Sequence, residues 1–121
     1  MPTHRQKIGS WGEEQAVVYL KSCGYEIFAR NVRTSFGEID IVARKDRTIV
    51  FVEVKTRTSQ SFGFPEEAVT AKKQEHLIAA AQAFLQSHSH FDGDWRIDVI
   101  AISGKPNQKP DILHFEDAVH G

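Results

Sequence analysis

The segment spanning residues 38–56 limits the fold more than any other part of the chain. Two runs rich in Ile, Val and Phe, residues 38–44 and 48–56, are separated only by Lys45, Asp46 and Arg47. Such runs read as β-strands, and the short polar break reads as a hairpin turn. With a two-residue turn at Asp46-Arg47, Lys45 faces Thr48, Asp40 falls opposite Glu53, and Glu38 falls opposite Lys55. Side chains alternate between the faces of a strand, so these four acids and bases project from one side. Ile39, Ile41, Ala43, Val50, Val52 and Val54 then form an apolar set on the other. A slip of one residue would mix the two sets, so the pattern itself selects the register.

The rest of the chain supplies partners for that hairpin. Residues 10–22 read as a helix, with Ser10 and Glu13 in capping-box spacing at its start and Cys23-Gly24 at its end. Trp11, Ala16, Val17 and Leu20 would form its buried stripe. Residues 25–32 read as a strand and 34–37 as a turn. Residues 58–65 read as a polar loop containing Gly63, and 66–86 as a second helix whose apolar side carries Val69, Leu77, Ala80, Ala81, Phe84 and Leu85. Residues 95–103 read as another strand, 104–110 as a loop, and 112–115 as a short last strand. The order α-β-β-β-α-β, with a final strand, predicts one α/β domain over residues 1–121, built on a central mixed sheet flanked by helices. No repeat or linker divides it.

Composition narrows the setting. A chain of 121 residues with 40% hydrophobic and 26% charged residues has enough apolar material for one core and is too apolar for a disordered segment. Its one cysteine, Cys23, has no internal disulfide partner, which suits a reducing cytoplasm. No run approaches the ~20 apolar residues of a membrane span, and neither export nor membrane insertion is expected. With 15 Lys+Arg against 16 Asp+Glu, the molecule is not a generally basic binder of nucleic acid. Attraction to a polyanion would have to come from local patches or from a metal.

Directly opposed carboxylates destabilise a sheet and oppose each other's ionisation, so Asp40 beside Glu53 calls for a positive charge between them. A hard divalent cation such as Mg2+ or Mn2+ prefers carboxylate and water oxygens. Lys55, two residues beyond Glu53 on the same face, is then placed to stabilise a developing phosphate charge, and the set describes a hydrolytic site. Each residue also has a plainer use. Glu and Lys often alternate on a solvated strand face, and a capping box accounts for Glu13. Glu38 reads first as the ion-pair partner of Lys55 and second as an acid supporting the site. Lys72, Lys73, Arg33, Arg57 and Arg30 suit phosphate contacts or simple solvation. His88 and His90 resemble a loop more than a metal site, and Trp11 and Trp95 read as core.

Gly37-Glu38-Ile39-Asp40 followed by Val52-Glu53-Val54-Lys55-Thr56-Arg57 resembles the YraN-type family of small bacterial proteins, uncharacterised in function. That family itself resembles the archaeal Holliday-junction resolvases of the PD-(D/E)xK nuclease superfamily. Gly12-Glu13 with Ala16, Gly63 with Pro65-Glu66-Glu67-Ala68-Val69, and Arg96-Ile97-Asp98-Val99 extend the likeness over nearly the whole chain. One departure is Ile39 where the superfamily signature has proline. The resemblance implies a restriction-endonuclease-like core with Asp40 and Glu53 as metal ligands for Mg2+ or Mn2+. It implies Lys55 and Glu13 as catalytic groups; the placement of the residues themselves adds Glu38 as an acid supporting them, and Arg57, Arg33, Lys72 and Lys73 as candidate nucleic-acid contacts. The implied function is a metal-dependent, resolvase-like endonuclease acting on branched or duplex DNA, in the form of a homodimer. The rival from another class is a non-catalytic nucleic-acid-binding or adaptor protein on the same scaffold.

Overall fold

In the computed structural model, residues 3–57 and 69–120 are described. Helix α1 (His4–Ser22) leads into strands β1 (Glu26–Thr34), β2 (Gly37–Lys45) and β3 (Thr48–Arg57). Helix α2 (Ala71–Ser87) follows, then β4 (Asp94–Ser103) and β5 (Asp111–Val119). The strands form one sheet in the order β1-β2-β3-β4-β5. Neighbours are antiparallel except β3 and β4, which run parallel. A parallel pair needs a long crossover, and the connection that carries α2 supplies it. The mixed α/β sheet expected from the sequence is the sheet observed.

Both faces of the sheet are covered. Ala16, Val17 and Leu20 of α1 pack with Tyr25 onto Ile41, Ala43, Val50, Val52, Ile100 and Ile102. Leu77, Ala80, Ala81 and Phe84 of α2 pack onto the opposite face, against Ile39, Val42, Ile49, Phe51, Ile97 and Val99. Burial on two sides explains why β3 and β4 read as nearly continuous apolar runs. No helix among the described residues is long and apolar enough to cross a membrane.

The first helix begins six residues before the expected Ser10. Thr3 is its N-cap: the Thr3 hydroxyl accepts the Gln6 N–H at 3.1 Å, and the Gln6 side chain accepts the Thr3 N–H at 2.8 Å. Thr3 and Gln6 repeat the capping pattern also present at Ser10 and Glu13, and the upstream box is the one in use. The second helix was expected over 66–86. Residues 66–68 lie outside the described residues, Val69 and Thr70 are not helical, and Thr70 caps the helix by accepting the Lys73 N–H at 3.2 Å. The expected loop at 58–65 also lies outside the described residues. The last strand begins one residue before its expected span and runs four beyond it, through Ile102↔Ile112 to Ile97↔Val119, with an irregularity between.

The hairpin register is the expected one, with Lys45↔Thr48, Ala43↔Val50 and Ile41↔Val52 paired. Asp46 sits in the left-handed region at φ 56°, a conformation Asp tolerates and a tight turn uses. The ladder stops at Ile41↔Val52, however, and does not continue to Asp40 and Glu53 or to Glu38 and Lys55. Beyond it the Asp40 carboxylate accepts the Val54 N–H at 2.8 Å, so a side chain takes the place of a backbone carbonyl. Strict alternation fails at the same level. Ile39 packs on the α2 side with Val42, whereas Ile41 packs on the α1 side. On the neighbouring strand Asn31, between Arg30 and Val32, has φ 52°, and Val32, the partner of Ile39, also packs on the α2 side. The left-handed residue re-aims the side chains that follow it, as bulged strands do.

Candidate metal centre

Asp40 and Glu53 meet where β2 and β3 part. Glu53 is 5% exposed, one of two buried charged residues among those described. Its Oε1 lies 3.6 Å from the Lys55 ammonium and 3.7 Å from the Lys73 ammonium. Both distances are those of ion pairs too long to be hydrogen bonds. Its Oε2 is buried with no hydrogen-bond partner among the described residues. A bare buried oxygen of this kind costs about 1–3 kcal/mol or more, and a charged group costs most. Asp40 is pushed up from its ordinary 3.8 to about 7, first by burial and then by the charge of Glu53, with Glu38 adding to the effect. The Val54 N–H and Lys73 pull the other way.

Glu13 lies in the interior of α1, three turns from the N-cap in use, so the capping role open to it in the sequence is not the one it has. Gly12 explains its position. A Cβ there would fall on the Thr56 side chain, so only glycine lets α1 cross β3 this closely. Glu13 lines a cleft of about 450 Å3 with His4, Ile8, Gly9, Asp40, Glu53, Val54 and Thr56. Its carboxyl is raised, first by burial and then by Asp40 against the pull of Arg30, with Glu38 also raising it and Asn31 lowering it. With its amide nitrogen turned toward the acids, Asn31 donates to Glu13 Oε1 and Glu38 Oε1 at 3.0 Å each. A second cleft of about 650 Å3 is lined by Gln6, Gly9, Ser10, Glu13, Asn31, Arg33 and Glu38. Gly9 and Glu13 belong to both, so the two form one groove along the first half of α1.

The remaining residues singled out in the sequence divide clearly. Glu38 does not pair with Lys55 as the extended ladder required. It faces Arg33 at 3.9 Å, because β2 has left β3 and keeps only β1 as its neighbour there. Arg33 is exposed at the rim of the second cleft. Arg57 ends β3, where its carbonyl accepts the Gly104 N–H at 3.0 Å. Lys72 is exposed beside Lys73 on the first turn of α2. Arg30 is held by Glu14 at 3.0 Å. His88 stacks on Phe84 at 4.0 Å between ring centres and contacts the Phe84 carbonyl, a packing role. Trp11 packs against the α1-side core as expected, whereas Trp95 stays 38% exposed, edge-on to Phe51.

The sequence did not reveal a buried polar network on the α1 side. Asp98, fully buried, accepts from Arg96 Nε at 3.0 Å and from the Asp117 N–H at 2.9 Å, and meets His114 Nε2 at 2.7 Å. His114 Nδ1 meets the Tyr19 hydroxyl at 3.0 Å, and Arg96 donates to the Tyr25 hydroxyl at 2.7 Å. Burial alone would raise the Asp98 carboxyl, but His114, Arg96 and the Asp117 N–H outweigh it and hold it below its ordinary value. The network ties together α1, the link from α1 into β1, and strands β4 and β5. Nothing in the local sequence announces it beyond an aspartate in an apolar strand. Asn31 was missed as well, although asparagine is depleted in strands and tolerates left-handed backbone, which is a legible signal.

No three of the described His, Cys, Asp and Glu side chains stand close enough to enclose a metal ion. The donor set at Asp40 and Glu53 nevertheless fits Mg2+ or Mn2+. These ions take one or two carboxylates and keep water in the other positions, and the Glu53 Oε2, without a hydrogen-bond partner among the described residues, is open to such a ligand role. Fold and site together define a small mixed-sheet α/β protein with an acid-lined cleft at the mouth of a split hairpin, and two lysines against the buried Glu53.

The chain belongs to the Uncharacterised protein family UPF0102, whose model matches residues 12–102. A UPF0102 protein of Geobacter metallireducens is 48% identical over 118 residues, covering 98% of this chain and 96% of its own. One from Roseiflexus castenholzii is 46% identical over 121 residues, covering 98% of each. One from Caldicellulosiruptor saccharolyticus is 48% identical over 99 residues, covering 82% of this chain and 84% of its own.

Proposed function

We propose that this protein is a divalent-metal-dependent nuclease of the PD-(D/E)xK type that hydrolyses phosphodiester bonds in DNA. The observation that carries this is the pairing of Asp40 with Glu53. One carboxyl is raised to about 7 and the other keeps a buried oxygen with no hydrogen-bond partner among the described residues, an arrangement that destabilises the folded chain and that a divalent cation would relieve. Asp40 and Glu53 are the residues that would hold Mg2+ or Mn2+. When bound, such an ion supplies Lewis acidity toward a phosphoryl oxygen and toward water.

The chain's own side chains account for the rest. The Val54 N–H fixes Asp40, so the carboxylate does not have to be ordered when substrate arrives. Lys55, on the strand that carries Glu53, stabilises the charge that builds on the phosphate oxygens. Glu13, with its raised carboxyl in the cleft, is placed to exchange a proton with the attacking water or the leaving oxygen. Glu38 shares Asn31 with Glu13 and so keeps that carboxylate in place. Arg33 at the groove rim, with Arg57 and Lys72, makes phosphate contacts. The same proposal takes branched or duplex DNA as substrate and two copies of the chain as the working unit, since paired symmetric cuts need paired sites.

The test is cleavage of labelled duplex, single-stranded, flapped and four-way-junction DNA by purified protein in Mg2+ or Mn2+, with Glu53→Ala and Lys55→Ala in parallel. Metal-dependent cutting by the wild-type chain, reduced at least about 100-fold in both variants, is the expected result. Absence of cutting on every substrate, or equal cutting by the variants, overturns the proposal.

A further inference from the structure

Two lysines crowd one oxygen of Glu53, while the other oxygen has no hydrogen-bond partner among the described residues. Lys55 comes from the same strand, two residues away, as the motif spacing requires. Lys73 comes from a different element, the first turn of α2, and its charge also acts on Asp40. At 3.7 Å and with its side chain 38% exposed, it is held near Glu53 by charge and not by a hydrogen bond, so it is free to leave. Its place in the helix is also electrostatically unfavourable. The N-terminal turn of a helix is the positive end of its dipole and favours acids, yet α2 has no acidic residue there and carries Lys72 and Lys73. A helix start that is basic by sequence and positive by dipole, with its Lys73 ammonium 3.7 Å from Glu53, is matched to two successive anions: Glu53 first and a phosphate later.

We propose that Lys73 is the resident counter-ion of the Asp40–Glu53 pair, a cation that neutralises Glu53 while no metal is bound and turns to a substrate phosphate when a divalent ion takes its place. This inference rests on the metal-site reading above and assigns Lys73 a role distinct from that of Lys55. Lys55 is a fixed part of the strand motif, whereas Lys73 competes with the metal and then cooperates with it. Removing Lys73 therefore has opposite effects on two ligands. The metal loses a competitor and binds more tightly, while the nucleic acid loses a phosphate contact and binds more weakly. A merely structural lysine would move neither, and an ordinary phosphate contact would move only the second.

The experiment is calorimetric titration of Mn2+ into metal-free wild-type protein, Lys73→Gln, Lys73→Arg and Lys21→Gln. The last makes the same change in net charge at the far end of α1. A second titration adds a short DNA oligonucleotide in Ca2+. The expected result is Mn2+ binding about 3- to 10-fold tighter in Lys73→Gln than in Lys21→Gln, with oligonucleotide binding weaker by a similar factor. Lys73→Arg, which keeps the charge, should stay near wild type in both. Mn2+ binding that is unchanged or weaker in Lys73→Gln, with normal binding by the wild type, overturns the counter-ion role and leaves the metal site standing. Failure of every protein, Lys73→Gln included, to bind Mn2+ overturns both.

Discussion

Asp40→Asn should make the metal-free protein more stable, and the gain should depend on pH. The Asp40 carboxyl moves from its ordinary 3.8 to about 7 on folding, first because it is buried and next because Glu53 stands beside it. The folded chain thus holds this proton more tightly than the unfolded chain, folding takes up protons between pH 3.8 and about 7, and stability falls as pH rises through that window. At about 1.4 kcal/mol per pH unit, the ceiling on the cost above pH 7 is about 4 kcal/mol. Asp40 is partly open to solvent and water screens part of it, so about 1–3 kcal/mol is the working figure. Asparagine keeps a carbonyl oxygen to accept the Val54 N–H and removes the charge. Thermal unfolding in EDTA should show Asp40→Asn melting about 5–10 °C above the wild type at pH 8, with the gap closing toward pH 4. Added Mn2+ should raise the wild-type midpoint and leave the variant's unchanged. A variant no more stable than wild type at pH 8, or a gap that is the same at pH 4 and pH 8, would refute the electrostatic account of this pair.

Two other outcomes follow from particular contacts. Asp98→Ala leaves Arg96 and His114 without their shared buried acceptor and should cost about 3–5 kcal/mol in urea unfolding. In the wild type, Asp98 contributes stability above pH 3.8 that is lost as pH falls through its depressed folded value. Gly9 lines both clefts in mid-helix, and nothing lies within 4 Å of where its Cβ would be. Gly9→Ala should gain up to about 1 kcal/mol of stability, whereas Gly9→Trp should fold normally and abolish oligonucleotide binding by filling the groove.

The hairpin was legible because its register is dictated by alternation, and Asp46 adopts the left-handed backbone that a tight turn there requires. From that register the proximity of Asp40 and Glu53 follows. What alternation cannot foresee is where it stops. Asn31 and the end of the ladder at Ile41↔Val52 move Ile39 to the other face and free Asp40 to accept a backbone N–H. The helix start was ambiguous for a different reason. Thr3/Gln6 and Ser10/Glu13 both carry the capping pattern, and two turns of helix separate them, so local chemistry alone does not choose. Choosing the upstream box is what turns Glu13 from a cap into a side chain of the cleft. The pairing of Lys73 with Glu53, and the place of His114 between Tyr19 and Asp98, were beyond reach because these partners lie far along the chain. Periodicity finds elements and faces. Convergence of distant side chains needs the packing.

The most direct measurement of the central claim is a crystal structure of the protein grown with Mn2+ and measured at the manganese absorption edge. An anomalous peak bridging Asp40 and Glu53, at about 2.0–2.3 Å from an oxygen of each, with the Glu53 oxygen that now has no partner among its ligands, is the predicted result. Manganese bound elsewhere, or an acid pair that stays empty at saturating Mn2+ with Lys73 still against Glu53, would contradict it.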